Sequence, residues 1–313
     1  MDNPVLVIDA DPAVYQAAFS AQKSEYHVVY ETKAGELRQR IWSDGNKKLA
    51  FFRRHKGCVK LDDEKVVVVE SPDHARQAAA TIFHTMIKKV ATGLKTSKEQ
   101  LDVEVYLSGP DNFRGKLATI TPYKALRADP PEHYNVVRNY YVQHWNGIVV
   151  HNWEADDQTA IRVRELQSQG RTVVLATIDK DLDQVAGLHY DYRQHVFYDV
   201  DPYDAVLFFW EQVLSGDSTD TIQGIPKVGP GKAKEWISDW VNDPQAQSPL
   251  DAWLWKNVVA AYKEGMQNHP DKFPEGMTPE EAALENARLV FMLEREGQLW
   301  TPPGVPDEEI QIG

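Results

Sequence analysis

The chain has 313 residues, with 34 Lys and Arg against 47 Asp and Glu, a formal charge of −13. That length is ample for a buried core, and 42% apolar with 26% charged residues excludes a largely disordered chain. The longest aliphatic run, Val66–Val69, is far short of the ~20 residues of a membrane span. The acidic start Met1-Asp2-Asn3-Pro4 is unlike a secretory leader, and the single cysteine, Cys58, excludes an internal disulfide and a multi-cysteine zinc site. The expectation is a cytoplasmic protein with no membrane and no disulfide-linked partner.

Apolar runs alternate with helical patterns through the first two thirds of the chain. Val5-Leu6-Val7-Ile8 and Val66-Val67-Val68-Val69 read as short buried strands. Ser71-Pro72 then caps and opens a helix, on which Ala75, Ala79, Ile82, Phe83, Met86, Ile87 and Val90 share one face. Strands are expected at 103–107, 147–150 and 172–176, and helices at 131–145 and 154–168. This alternation predicts an α/β fold, a mainly parallel central sheet flanked by helices, with functional residues beyond the carboxyl ends of strands.

Two stretches depart from the alternation. Residues 26–61 read as short strands around a hairpin turn at Ser43-Asp44-Gly45-Asn46. Carrying Arg53, Arg54, Lys56 and Lys60, they form either a solvated β-insertion or a DNA-facing arm. Beyond Asp201 the pattern is helical to the end. Six of the nine tryptophans fall there, which suits core packing, and Thr278-Pro279-Glu280-Glu281 has the spacing of a capping box.

Four acidic groups fall at strand ends or just inside helices: Asp9 with Asp11, Glu154-Ala155-Asp156-Asp157, Asp179-Lys180-Asp181, and Asp217-Ser218-Thr219-Asp220. Glu154 and Asp157, three apart, project from one face of a helical turn. Asp179 and Asp181 point the same way on an extended segment, and Asp217 and Asp220 fit one turn. Each group alone reads as a cap or a polar turn. Together, on adjacent parallel strands, they would repel and raise one another's pKa unless hard divalent cations were present. Two such ions would move the charge from −13 to −9, which reconciles an acidic chain with an anionic partner. None of the ten histidines forms a His-x-x-x-His pair.

After the fourth group, Gly224-Ile225-Pro226-Lys227-Val228-Gly229-Pro230-Gly231-Lys232-Ala233 gives two glycine turns leading into a helix. Free amides at that helix start, with Lys227 and Lys232, suit a phosphate backbone. A second basic stretch, Asn112-Phe113-Arg114, Lys116 and Pro122-Tyr123-Lys124-Ala125-Leu126-Arg127, interleaves cations with aromatics. That pattern stacks bases and meets phosphates.

In this order the motifs resemble the flap endonuclease and 5′→3′ exonuclease superfamily, most nearly its stand-alone members in short-tailed bacteriophages. The resemblance spans residues 5–9 and about 103–240, with the phage-like opening Leu6-Val7-Ile8-Asp9-Ala10-Asp11 and the C-terminal Gly276–Glu281 and Gln298-Leu299-Trp300. It implies a nuclease core over 1–200, with an insertion near 26–61 and a helical arch near 112–135. A helical DNA-binding region over 201–313 would carry a helix-hairpin-helix near 217–240. It also implies two Mg²⁺ ions about 4 Å apart, with Mn²⁺ as a substitute and a monovalent cation at the hairpin. Asp9, Glu154 and Asp156 would hold one ion. Asp179, Asp181 and Asp217 or Asp220 would hold the second, with Asp157 counted among the ligands. Lys124 and Arg114 would neutralise the scissile phosphate, with Asp181 catalytic. Arg114, Tyr123, Lys124, Arg127, Gly224, Lys227, Gly229, Gly231 and Lys232 would contact DNA. The implied activity is exonucleolytic and structure-specific hydrolysis of duplex DNA with 5′ ends, flaps or nicks and of RNA–DNA hybrid, serving phage replication, host DNA degradation and primer removal.

One departure stands out: the family's acid before Phe-Arg falls near Ser108 or Gly109, and Asp111 is the nearest substitute. Two other readings are open. A haloacid dehalogenase-type phosphatase would use Asp9-Ala10-Asp11 and Gly216-Asp217 but leave Glu154–Asp157 and Asp179–Asp181 idle. A structure-specific DNA-binding protein with a decayed site would rest on the missing acid alone.

Overall fold

A computed structural model describes residues 2–311. In chain order the elements are β1 (Val5–Asp9), α1 (Asp11–Ser20), β2 (Gln22–Glu31), β3 (Leu37–Trp42), α2 (Gly45–Arg54), β4 (Val59–Val69) and α3 (Pro72–Gly93). Next come β5 (Asp102–Ser108), α4 (Arg114–Leu117), α5 (Tyr134–Trp145), β6 (Ile148–Val150), α6 (Ala155–Ser168), β7 (Val173–Thr177), β8 (Gly187–Asp191) and β9 (Val196–Val200). The chain closes with α7 (Pro202–Ser215), α8 (Pro230–Val241), α9 (Leu250–Asn268), α10 (Pro279–Val290), β10 (Gln298–Leu299) and β11 (Glu308–Glu309). No described helix is long and apolar enough to cross a membrane.

The chain divides into two compact units, one of Met1–Pro12, Thr85–Asp129 and His144–Gly313, the other of Ala13–His84 and Pro130–Gln143. The boundary expected at 200 does not coincide with this division, because the C-terminal helices belong to the same unit as the main sheet.

The larger unit holds a six-stranded sheet in the order β6-β5-β1-β7-β8-β9. All neighbours are parallel except the last pair. Val5–Asp9 is buried throughout because β1 is central and covered on both faces, as its unbroken apolar run demands. The antiparallel β8–β9 ribbon, with polar residues in each strand, was not legible as strands. One hydrophobic cluster joins the sheet to α6 through Val7, Tyr106, Ile161, Leu166 and Leu175. A second gathers α7–α10 around Trp210, Trp255, Ile237 and Val290, the core role expected of the C-terminal tryptophans. Thr278 and Glu281 form the reciprocal capping box at the start of α10.

The smaller unit carries a three-stranded antiparallel sheet, β3-β2-β4. Val66–Val69 closes β4, and Val67, Val68 and Val69 are exposed, so this run is not the buried strand expected of it. Nor is Ser43–Asn46 a hairpin turn. The Asp44 carboxylate accepts the amides of Asn46 (2.7 Å) and Lys47 (3.2 Å) and caps α2, since a short acid before a helix-forming stretch satisfies its orphan donors. The expected helical arch over 112–135 contains only the four-residue α4 and the start of α5, separated by irregular chain and short turns.

Candidate active site

β1 ends at Asp9 with β5 on one side and β7 on the other. Thr177 closes β7; its hydroxyl donates to Asp9 Oδ2 (3.2 Å) and accepts the Asp179 amide (3.0 Å). Asp179 in turn accepts the Asp181 amide at 2.9 Å, which fixes both acids beyond the strand end. On the other flank, the Ser108 amide donates to both Asp11 carboxylate oxygens (3.1 and 3.3 Å), and Ser108 Oγ accepts the first amide of α6, that of Ala155, at 2.9 Å.

This flank explains the missing acid. A Cβ on Gly109 would collide with the Val150 carbonyl oxygen, so no carboxylate can stand there. Asp111 does not replace it: its side chain is 64% exposed and lies 3.5 Å from His151 Nδ1. The acid that meets the end of β5 is Asp11.

Glu154 caps α6, and its amide donates to Asp157 at 3.1 Å. Asp157 is fully buried and takes a two-pronged pair from Arg114, at 2.5 and 2.8 Å. Arg114 is also fully buried, and its other donors go to the Leu289 and Phe291 carbonyls, 2.8 Å each. The expectations of Arg114 as a phosphate contact and of Asp157 as a metal ligand are therefore corrected. The pair neutralises itself in the interior and ties α4 and α6 to the end of α10.

Tyr123 and Lys124 do reach the acids. The Lys124 backbone, in the left-handed region at φ +55°, is held by a 2.8 Å bond from its amide to the Asp220 carbonyl. Its ammonium contacts Glu154 and lies 3.4 Å from Asp220. Tyr123 Oη lies 2.6 Å from Glu154 and 2.7 Å from Asp220, so one hydroxyl proton faces two carboxylates. Lys180 similarly contacts the buried Asp217 and, at 2.7 Å, Asp181. Arg127 is exposed at the end of this stretch.

The electrostatics separate the acids into two kinds. Burial, then repulsion from Asp11 and Asp179, pushes the Asp9 carboxyl well up. Burial, then Glu154 and Asp157, does the same to Asp156. Asp179 is raised by burial, with Asp220 and Asp217 adding to it, and Asp181 is pushed up to about 6 by burial and Asp179. Burial would also raise Glu154, but Lys124 and Arg114 outweigh it and bring the group down to about 2. Asp217 is lowered in the same way, the Lys180 bond overcoming burial. In each case the cation is the local substitute for a counter-ion.

A buried polar chain reaches Asp181 from behind. Gln212 Nε2 donates to Asp181 Oδ1 (2.6 Å), Gln184 Nε2 lies 2.6 Å from Gln212 Oε1 and 2.7 Å from the Val290 carbonyl, and the Met292 amide donates to Gln184 Oε1 (3.1 Å). Sequence reasoning missed Asp11 as a site residue, and it missed Thr177, Lys180, Gln184 and Gln212 altogether. The signal for Gln212 was a glutamine among Phe209, Trp210, Val213 and Leu214 on an otherwise apolar helix.

Among the described residues no three His, Cys, Asp or Glu side chains converge closely enough to hold one ion, and the ammonium groups of Lys124 and Lys180 lie between the carboxylates. The donor set nevertheless fits a hard divalent cation. It is all oxygen and largely buried, and the burial and mutual repulsion that raise Asp9, Asp156, Asp179 and Asp181 are a cost that a divalent cation would relieve.

The segment between α7 and α8 begins at the same edge. Gly216 (φ +67°) and Gly224 (φ +62°) pack backbone against backbone, where either Cβ would collide. Gly224 is buried, so its expected contact with DNA is corrected to a packing role. Lys227, Gly229, Gly231 and Lys232 are exposed. Gly229 caps α8, a Cβ at Gly229 or Gly231 would meet open space, and Lys232 lies over the Trp236 ring at 4.6 Å.

No protein-family model matches the chain. Among solved structures, a bacteriophage T5 protein co-crystallised with metal ions is similar at a TM-score of 0.51 and 12% identity, over 92% of this chain and 88% of that one. A mutant T5 5′-exonuclease (TM-score 0.48, 12% identity, 92% and 87% covered) also matches. So does a T5 flap endonuclease in complex with DNA and metal ions (0.46, 13%, 92% and 88%). The chain shares the α/β fold of the T5 protein co-crystallised with metal ions, a mostly parallel central sheet flanked by helices.

Proposed function

We propose that this chain is a divalent-metal-dependent 5′→3′ exonuclease that also cleaves 5′ flaps and RNA–DNA hybrid. What supports the reading is that Asp9, Glu154, Asp156, Asp179, Asp181, Asp217 and Asp220, drawn from four separate places in the chain, all belong to one unit, and that Asp9, Asp156, Asp179 and Asp181 are raised by burial and by neighbouring acids. Asp9, Glu154 and Asp156 would hold one Mg²⁺, and Asp179, Asp181 and Asp217 or Asp220 the other, with Mn²⁺ able to replace either. Bound there, the ions supply an acidified water and charge neutralisation at the phosphate.

The chain's own groups do the rest. Lys124 is raised despite its burial by Glu154, Asp220 and Asp156; it stays protonated at neutral pH and offers its charge to a phosphate oxygen in place of Glu154. Tyr123 sits beside it to border the path of the strand end. The exposed amides at the start of α8, with Lys227 and Lys232, grip a duplex backbone without reading sequence, where a monovalent cation would assist. A role in trimming DNA and primers from 5′ ends follows from that chemistry.

The test is digestion of 5′-labelled blunt, nicked, flapped and RNA–DNA hybrid substrates with and without Mg²⁺, by wild type and Asp181→Asn. The variant should bind DNA normally and lose more activity than the roughly 10–100-fold that an outer-shell partner costs. Near wild-type cleavage by the variant, or release of p-nitrophenol from its phosphate ester with no nucleolysis, would overturn the proposal.

A further inference from the structure

The smaller unit inverts the charge of the chain. Residues 32–61 hold nine Lys and Arg against two Asp and Glu, a net of +7, so the remaining residues carry −20 of the total −13. The cations stand on an ordered scaffold. Phe51 and Phe52 of α2 pack on Val28, Tyr30 and Trp42 of the sheet, and Arg40 lies over the Trp42 and Phe51 rings at 4.9 and 5.3 Å.

Three of the nine are committed elsewhere: Arg38 to Glu36, and Lys48 and Lys60 to Asp63. The other six, Lys33, Arg40, Lys47, Arg53, Arg54 and Lys56, are all exposed, and none has a carboxylate partner among the described residues. Attraction to the helix dipole accounts for Arg53 and Arg54 at the end of α2, but not for the other four. The aromatics of this region face inward: Tyr30 and Trp42 are buried, and Phe51 and Phe52 half-buried. An exposed cationic face whose one exposed ring, His55, is already stacked on Phe51 at 4.3 Å suits the regular phosphate array of a double helix better than the bases of a single strand.

We infer that the face formed by β3, α2 and the turn after it is a second nucleic-acid-binding surface, one that holds the backbone of a duplex without sequence preference. It is built from other residues than the start of α8 and the 112–127 stretch, and it does not depend on the chain being a nuclease.

The experiment is binding of a labelled blunt duplex in EDTA across a salt series, comparing wild type with Lys47→Ala/Arg53→Ala/Arg54→Ala/Lys56→Ala. The variant should bind at least 10-fold more weakly at about 0.1 M salt, and its log–log salt slope should fall by roughly 3–4. The charge-preserving Lys47→Arg/Lys56→Arg should bind as wild type does, and far-UV circular dichroism should show both variants folded. If cleavage is observed, the four-site variant should raise KM and leave kcat unchanged; if it is not, the EDTA measurement still decides. Unchanged affinity and slope would overturn the inference. So would tighter binding of a single strand than of a duplex, or equal binding of polyglutamate.

Discussion

The acidic edge of the large sheet and the basic face of the small one are opposite solutions to carrying charge. At the edge the acids are largely buried and each cation is paired: Arg114 with Asp157, Lys124 with Glu154, Lys180 with Asp217. On the small unit six cations stand in solvent with no acid beside them. A buried charge is tolerable only with well-placed partners, so the edge should respond to geometry and to ions that replace the lysines. An exposed charge costs little and is screened, so the basic face should respond to salt and to net charge, and hardly to the identity of any one residue.

The largest effect that would sharpen this contrast is on stability. Arg114→Ala leaves Asp157 buried without its counter-charge and frees the Leu289 and Phe291 carbonyls. It should cost about 3–5 kcal/mol, read as a lower midpoint of urea unfolding. Arg114→Lys should rescue little, since a point charge cannot reproduce the fork. Removing four of the six exposed cations of the small unit should move the same midpoint by about 2 kcal/mol at most. Equal losses from the two variants would erase the distinction between the regions.

A pH series in EDTA comes next. Asp9, Asp156, Asp179 and Asp181 have folded pKa values above their unfolded ones. The folded state therefore binds their protons more tightly, and the stability this confers at low pH is lost as pH rises from about 4 through about 6 for Asp181. Glu154 runs the other way: its contribution is full above about 4.5 and is lost as pH falls through about 2. Metal-free protein should thus melt lower at pH 7 than at pH 5, and Asp181→Asn should recover about 1 kcal/mol of that difference. Mg²⁺ should recover it for wild type. Differential scanning calorimetry checks this, and a variant that melts lower than wild type at pH 7 would contradict it.

The mainly parallel central sheet was legible because it follows from local pattern: apolar runs too short for anything but strands, alternating with helical stretches. What was not legible depended on distant partners. Asp157 and Arg114 looked like site residues because a carboxylate two or three positions from a ligand is indistinguishable from one until the fold buries it. Gly109 looked like a lost ligand until the Val150 carbonyl appeared beside it. In residues 26–61, Asp44-Gly45 signals a turn and a helix cap alike, and only the packing of Phe51 and Phe52 on the sheet decides for the helix.

The smallest effect tests whether the edge depends on geometry beyond its charges. Gln212 and Gln184 are neutral, and neither is among the acids, yet together they carry a chain of bonds from the Met292 amide to Asp181 Oδ1. A carboxylate with Lys180 on one oxygen can rotate about its last bond. The Gln212 amide on that same oxygen removes the freedom, and Gln184 keeps the Gln212 amide from turning over. Gln212→Ala should therefore lower metal affinity or kcat by roughly 10–100-fold, with duplex affinity in EDTA and the salt slope unchanged. A merely structural role would instead lower the unfolding midpoint while leaving the Mg²⁺ concentration for half-maximal activity where it was. If that concentration does not move, orientation of Asp181 is set by Lys180 and Asp179 alone, and the edge is governed by charge after all.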